Sequence, residues 1–447
     1  MKAFKAYDIR GEWGKDLNEE TAYRIGFFLH EILDSDTVLV GRDMRLSSDA
    51  LYNALSRGIT DSGLNVDNIG LATTPLVYWV TAKYGYTASI MITASHNPKN
   101  HNGLKISATN ALPVGYDKGL NRLEDLVEHG NIILAKGKGI IRELNVKSDY
   151  LSFQKSFVGD TESLRIAVDC SNGMSSLFAK DVIGEAFYIN DVPDGNFPQH
   201  DPNPLEPKNQ EQIKTLVKKE KCDIGVLFDG DADRVTFIDE KGNFISPDLM
   251  IAFLGDYFFS EKGEKGIVLQ DIRSSRAIQE YLSKYGAKVE TWRVGRAYAA
   301  VKLRELKGIY GGELAGHYYF RDFYYSDSAL LAASIILQLL NKRKRMGQTM
   351  SQVVSEITPY HNSGEINFKL NRKQEAMDGV RNYFIQNEKP VSFYDFDGYR
   401  LDYKDHWLNI RPSNTEPYLR FIAEAKSEDK LKEIVKKVTE IVNQHKD

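Results

Sequence analysis

Hydrophobic and polar positions along the chain follow two periods. Short runs rich in β-branched residues, at 37–40, 89–93, 165–168, 224–228 and 267–270, each end in a polar or glycine-containing loop, which predicts strands. Amphipathic stretches lie between them. One, at 47–62, follows the cap-like Leu46-Ser47-Ser48-Asp49, and another, at 211–219, precedes the run at 224; both predict helices. Repetition of such units predicts α/β layering. After Pro359 the pattern changes to strands at 364–370 and 418–425 and a final helix with apolar positions Leu431, Ile434, Val435, Val438, Ile441 and Val442 on one face.

Breaks are expected in the charged surface stretch at 147–155, at the turn Glu240-Lys241-Gly242-Asn243 ahead of Pro247-Asp248, and near Pro359. The expected fold class is α/β: three successive mixed α/β domains over 1–147, 148–247 and 248–358, plus a smaller C-terminal α+β domain over 359–447. No fixed-period repeat is visible, so the three blocks are related by fold, if at all.

Composition narrows the chemistry. The 447 residues are 42% hydrophobic and 27% charged, enough apolar side chain for several cores. Lys and Arg number 58 against 62 Asp and Glu, a net charge of -4, so no overall field draws a polyanion and nucleic acid is not an expected partner. Cys170 and Cys222 are expected to be reduced. The start MKAFKAYDIRG has no signal-like apolar stretch, and the longest apolar-rich run, 329–340, is too short to span a bilayer. A cytoplasmic protein without a membrane partner is expected.

Two segments carry candidate chemistry. In GVLFDGDADRVTFID, Asp229, Asp231 and Asp233 fall within five residues between two apolar runs. Carboxylates so close repel one another, and a hard divalent cation such as Mg²⁺ or Ca²⁺ relieves the repulsion; the plain alternative is an acidic solvated turn. An EF-hand fails, because Arg234 stands where the loop needs glycine and the flanks read as strands. A phosphatase with an aspartate nucleophile matches Phe228-Asp229-Gly230-Asp231 superficially, but Asp233 stands where Thr or Val is usual. The second segment is Thr93-Ala94-Ser95-His96-Asn97-Pro98, followed by Asn102-Gly103-Leu104-Lys105. Ser95 is expected to be exposed on a tight strand-exit loop, with His96 and Lys105 near in sequence to stabilise charge on a phosphate. The alternative is an Asn-Pro turn with a capping serine.

TASHNP, DGDADR, GGELAGH and RPSNTEP, in that order after the opening FKAYDIRG, resemble the signature loops of the α-D-phosphohexomutases, and with Gly41-Arg42-Asp43 and Thr74-Pro75 the likeness runs from residue 4 to residue 417. YDIRG and Tyr319-Phe320-Arg321-Asp322-Phe323 resemble the bacterial phosphomannomutase/phosphoglucomutase branch. The resemblance implies four domains around a central cleft and reversible phosphoryl transfer between C1 and C6 of a hexose phosphate, mannose or glucose, through a hexose 1,6-bisphosphate. It implies Ser95 as the phosphoserine, which with Asp229, Asp231 and Asp233 holds Mg²⁺, and it places His96, Lys105, Arg10 and His317 in the catalytic machinery. Arg234 braces the seryl phosphate, Glu313 grips two sugar hydroxyls, and Ala315 stands where the family has serine, removing one sugar contact. Tyr7, Arg273 and Arg296 also line the substrate site, the two arginines where relatives place Lys and His. Arg411, Ser413, Asn414 and Thr415 offer a guanidinium, hydroxyls and an amide in a proline-stiffened loop, a cradle for the non-reacting phosphate. Competing expectations are a phosphoglucosamine mutase, a Mg²⁺-dependent sugar-phosphate phosphatase, or a non-catalytic sugar-phosphate binder. The expected partner is the hexose phosphate, and the expected assembly a monomer or small homo-oligomer.

Overall fold

A computed structural model describes residues 1–413 and 418–446. Three α/β sheets follow one another along the chain, and each repeats one strand order. In the first, Asn65–Leu71, Thr37–Arg42 and Ala88–Ile92 run parallel, then His101–Ala108 and Ile9–Glu12 add antiparallel. In the second, Phe187–Ile189, Ile166–Asp169 and Ile224–Phe228 run parallel before Val235–Asp239 and Phe244–Ile245. The third has Lys288–Trp292, Ile267–Asp271 and Tyr310–Gly312 parallel before Tyr318–Phe320 and Ser326–Asp327. The three blocks are thus related by fold without a visible sequence repeat. In each, the last parallel strand turns into an antiparallel hairpin, and the three hairpin turns meet one another, through Ser95 and Asp229 and through Arg234 and His317.

Local composition explains the strands. Ala88–Ile92 and Ile224–Phe228 are buried at every position, as strands covered on both faces require. Along Thr37–Arg42, Val38 and Val40 enter one apolar cluster and Leu39 the other, the two-residue period of a pleated strand. The helix expected at 211–219 spans Glu211–Lys219, and the one expected at 47–62 spans Ser48–Asp61. Ser47 does not cap it through its side chain; its hydroxyl accepts instead from Asn102 Nδ2 at 2.8 Å.

The stretch at 147–155 is more than charged surface. It forms the helix Lys147–Lys155, which buries Tyr150 and Gln154. Tyr150 meets Trp79, Phe178 and Phe323 at ring separations of 5.6, 5.1 and 6.5 Å. One buried tyrosine among charges leaves no periodic trace, so sequence pattern missed its role as a seam.

The C-terminal sheet has six strands, among them Ile366–Lys369 and Tyr418–Ala425, all paired antiparallel. Two helices, Lys373–Asn387 and Glu428–Asn443, complete this part, the second burying Leu431, Ile434, Val438, Ile441 and Val442. One apolar cluster, from Leu39 to Ile357, runs through the three α/β sheets, whereas the C-terminal part has its own core from Phe368 to Val442. The seam between them is rich in polar contacts: Arg400 Nη1 donates to the carbonyls of Ile272 and Ser274 at 2.8 and 2.7 Å, and Ser275 donates to Glu424 at 2.7 Å. Cys170 and Cys222 are buried free thiols. Among the described residues no helix is long and apolar enough to cross a membrane.

A core shared by three sheets and a separate core in the fourth predict two calorimetric transitions. Phe178→Ala, at a side chain 3% exposed in the shared core, is expected to cost about 3–5 kcal/mol and to lower only the transition of the first three blocks. A single transition, or equal shifts of both, contradicts this division.

Candidate active site

The strand Ala88–Ile92 delivers Ser95 to the end of a parallel sheet where α/β folds hold ligands. Ser95 has φ +51°, a left-handed conformation that costs a non-glycine residue free energy. Hydrogen bonds hold it there. Its N–H donates to Thr93 Oγ1 at 2.9 Å, and its carbonyl accepts from Arg45 Nη2 at 2.8 Å. The same guanidinium donates to the carbonyls of Asn97, Pro98 and His101 at 2.6, 2.8 and 3.0 Å, so one buried side chain ties four carbonyls of the seryl loop. Asp43, 3.2 Å away, and the Phe197 ring, 5.1 Å away, hold Arg45 in turn.

Ser95 is 1% exposed, which corrects the expectation of an exposed hydroxyl. The acidic turn of the second sheet closes over it. Gly230 permits that approach, since a Cβ there would sit 2.6 Å from the Ser95 carbonyl oxygen.

The acidic turn joins Ile224–Phe228 to Val235–Asp239, so its flanks are strands as expected. Ser95 Oγ donates to Asp229 Oδ2 at 2.8 Å and lies 3.3 Å from His96 Nδ1. Asp229, Asp231 and Asp233 are all buried, with ligand oxygens within 4.8 Å of one another. Lys105, on His101–Ala108, places Nζ 2.6 Å from both Asp231 and Asp233. Thr74, at the start of the helix Thr74–Tyr84, donates through its hydroxyl to the Asp231 carboxylate at 2.5 Å and through its N–H to the Asp231 carbonyl at 3.0 Å.

Charge follows from this geometry. Burial, then Asp233 and Asp231, push the Asp229 carboxyl well above its usual range. Burial also opposes ionisation of Asp233, but Lys105 and His317 outweigh it and draw that carboxyl down to about 2. Lys105 goes well above its ordinary value because Asp231 and Asp233 outweigh the effect of burial. Burial and the cations around it, Arg234 first, hold His96 well below its usual value.

The third hairpin turn carries Glu313 and His317. Arg234 Nε lies 2.9 Å from His317 Nε2, and His317 Nδ1 lies 2.7 Å from Asp327 Oδ2. A donor on one side and a carboxylate on the other assign the neutral ring its proton at Nδ1. Glu313 Oε1 accepts the Tyr319 hydroxyl at 2.6 Å, and Arg273 Nη2 is 3.9 Å from Glu313 Oε2. Arg273 pairs with Asp271 at 2.7 Å and approaches Glu365 at 3.5 Å. Ala315 is half-buried in the same turn.

Arg10 donates to Asp8 at 2.5 Å and to Asn97 Oδ1 at 2.8 Å, beside the seryl loop. Tyr7 donates to the Val294 carbonyl at 3.2 Å. Arg411 pairs with Asp397 at 3.0 Å, and Ser413 N–H donates to the Tyr418 carbonyl at 2.9 Å. Asn414 and Thr415 lie outside the described residues. Arg296 meets Asp327, the partner of His317, at 3.1 Å and the Ala111 carbonyl at 3.0 Å, and lies over the Tyr78 ring at 3.5 Å.

The structure thus brings Ser95, His96, Lys105, Arg10, the three aspartates, Arg234 and His317 into one contact network. Sequence reasoning missed Arg45, Thr74, Asp327 and Tyr319. Arg45 follows Gly41-Arg42-Asp43, and Thr74 and Tyr319 open segments already singled out, Thr74-Pro75 and Tyr319-Phe320-Arg321-Asp322-Phe323, which was the available signal; for Asp327 spacing carried none.

The chain matches the phosphoglucomutase/phosphomannomutase family in four successive segments: alpha/beta/alpha domain I over residues 1–131, domain II over 148–242, domain III over 246–360 and the C-terminal domain over 365–441. It is 32% identical over 449 residues to a phosphomannomutase of Methanocaldococcus jannaschii, covering 99% of this chain and 98% of that protein. It is 33% identical to a phosphomannomutase of Vibrio cholerae, covering 99% of each. A crystal structure of a phosphoglucomutase/phosphomannomutase family protein from Burkholderia thailandensis superposes with a TM-score of 0.88 at 26% identity, over 99% of this chain and 97% of that one. On sequence along nearly its whole length and on fold, this chain belongs to the phosphoglucomutase/phosphomannomutase family.

Proposed function

We propose that this protein is a phosphohexomutase that moves a phosphoryl group reversibly between C1 and C6 of mannose or glucose phosphate, by way of phosphorylated Ser95 and a hexose 1,6-bisphosphate. The observation that carries this reading is the placement of Ser95 Oγ 2.8 Å from Asp229 in a buried turn of three carboxylates, with the Glu313 and His317 loop in contact through Arg234.

The residues fit Mg²⁺. Asp231 Oδ1 and Asp233 Oδ1 are buried without a hydrogen-bond partner, and Ser95 and Asp229 add oxygens beside them, a hard-donor set. Ser95, Asp229, Asp231 and Asp233 would hold the ion, which when bound supplies positive charge to the transferring phosphoryl group.

The chain's own groups do the rest. In the first half-reaction the bond from phosphorus to Ser95 Oγ breaks and a bond to O6 of the hexose 1-phosphate forms, while His317 Nε2 takes the O6 proton. Asp327 holds that imidazole in the required tautomer, and Arg234, now on His317, is placed to move onto the seryl phosphate. Lys105, Arg10 and neutral His96 surround the transferring group. After the bisphosphate turns end for end, the bond from phosphorus to O1 breaks, the bond to Ser95 Oγ forms again, and the proton held on His317 Nε2 passes to O1, which returns the imidazole to its starting state. Glu313, with one oxygen on Tyr319, keeps lone pairs for two adjacent sugar hydroxyls. Glucose and mannose differ at C2, so such a grip tolerates both. Tyr7, Arg273, Arg296, Arg411, Ser413, Asn414 and Thr415 complete the substrate site, which must grip either phosphate in turn, so the C-terminal part opens and closes over it. The enzyme is read as cytoplasmic, a monomer or small homo-oligomer.

A coupled assay over mannose, glucose and glucosamine 1-phosphates, with trace bisphosphate and free phosphate measured in parallel, tests the reading. Isomerisation of the first two at least about tenfold faster than the third is expected, with negligible hydrolysis. Preference for the amino sugar, or release of phosphate as the main reaction, contradicts it.

The raised Asp229 carboxyl also has a thermodynamic sign. A folded-state pKa above the unfolded one leaves no cost below about pH 4, and stability falls as pH rises through the folded value, so the metal-free fold at neutral pH carries a cost that is absent in acid. Asp229→Asn is expected to raise the melting midpoint of chelator-treated protein at pH 7 by roughly 2–5 °C and to abolish the stabilisation by added Mg²⁺. A lower midpoint in chelator, or a retained Mg²⁺ response, contradicts the assignment.

A further inference from the structure

The hairpin joining Ser392–Tyr394 to Tyr399–Asp402 reaches from the C-terminal sheet to the third block. Asp397, at its turn, accepts from Arg411 Nε on Oδ1 at 3.0 Å and from the Val294 N–H on Oδ2 at 2.9 Å. The Val294 carbonyl accepts the Tyr7 hydroxyl from the first block at 3.2 Å. Beside Asp397, the Phe396 ring lies 5.3 Å from Trp292. One carboxylate therefore links the C-terminal cradle, the Val294 loop and, through that loop, the N-terminal segment.

The turn is built for this contact. Gly398 has φ +69°, and a Cβ there would lie 2.4 Å from the Arg411 Cβ and 2.3 Å from the Ile410 carbonyl oxygen. Arg411 is 3% exposed. Its Nη2 is 3.0 Å from Asp397 Oδ1 yet lacks the alignment of a hydrogen bond and has no other partner among the described residues. A buried guanidinium with its Nε satisfied and Nη2 unsatisfied favours an incoming anion.

We propose that Asp397 is a positioning residue for the substrate's non-reacting phosphate: it holds Arg411 toward that phosphate and latches the C-terminal part onto the Val294 loop while the bisphosphate reorients. This rests on the phosphohexomutase reading, with Arg411 in the phosphate cradle. Asp397 itself touches neither the sugar nor the reacting atoms.

Asp397→Asn keeps the shape and one acceptor but removes the charge. Its KM for hexose 1-phosphate is expected to rise about tenfold, the size of one lost charge-assisted contact, with kcat within about threefold. The bisphosphate needed for half-maximal activity is expected to rise as well, because the intermediate escapes from an unlatched cleft, and Asp397→Glu should restore part of both. Labelling of Ser95 by hexose 1,6-bisphosphate should persist in D397N. Unaltered protein that neither labels nor isomerises refutes the mutase reading instead. A folded D397N with unchanged KM and bisphosphate requirement overturns the latch. If D397N does not fold, Phe396→Leu loosens the same contact without touching Arg411. A raised bisphosphate requirement with KM within about twofold supports the proposal, and an unchanged requirement overturns it.

Discussion

Asp229, Asp231 and Asp233 are confined to one buried turn, where their mutual repulsion and loss of hydration oppose ionisation of all three. Around them the protein has assembled compensating charge. Lys105 bridges Asp231 and Asp233, Arg234 presents its backbone N–H to Asp229 at 3.2 Å, and Arg10 and Arg45 lie close enough for their guanidinium charges to interact with Asp231. Asp229 remains the least compensated, and it is the carboxylate that Ser95 addresses. The shortfall of positive charge therefore lies beside the serine. A divalent cation is the species that such a deficit suits.

Positioning rather than reactivity dominates what the surrounding residues do. Ser95 is kept in a left-handed conformation by a loop whose carbonyls converge on Arg45, and Arg45 is covered by Phe197 from the second block. His317 is oriented by Asp327, which also receives Arg296. Arg296 thus serves the seam between the first and third blocks, through Ala111 and Tyr78. Phosphoryl transfer asks chiefly for alignment and charge, so a site made mostly of braces suits that chemistry.

The parts legible in sequence are those where residue type and spacing both constrain chemistry. Three aspartates in five residues between apolar runs marked the acidic turn, and period-two and period-3.6 patterns located Ile224–Phe228, Glu211–Lys219 and Glu428–Asn443 closely. Ser95 was found, but its burial was not, because the covering loop lies 134 residues away in the chain. Arg45 reads like a surface charge until the loop it serves is folded around it. The helix Lys147–Lys155 reads in sequence as charged surface because its two buried residues are too few to leave a period. The common strand order of the three sheets left no sequence repeat, since backbone topology constrains only the apolar pattern and not the identity of residues.

Ser95 Oγ is the atom proposed to carry the phosphoryl group. Intact-mass and peptide mapping after brief exposure to hexose 1,6-bisphosphate and Mg²⁺ tests this most directly. One phosphate on Ser95, discharged to the sugar when hexose 1-phosphate is added and absent from Ser95→Ala, is the predicted result. Isomerisation by an S95A protein, or turnover with Ser95 never labelled, would contradict it.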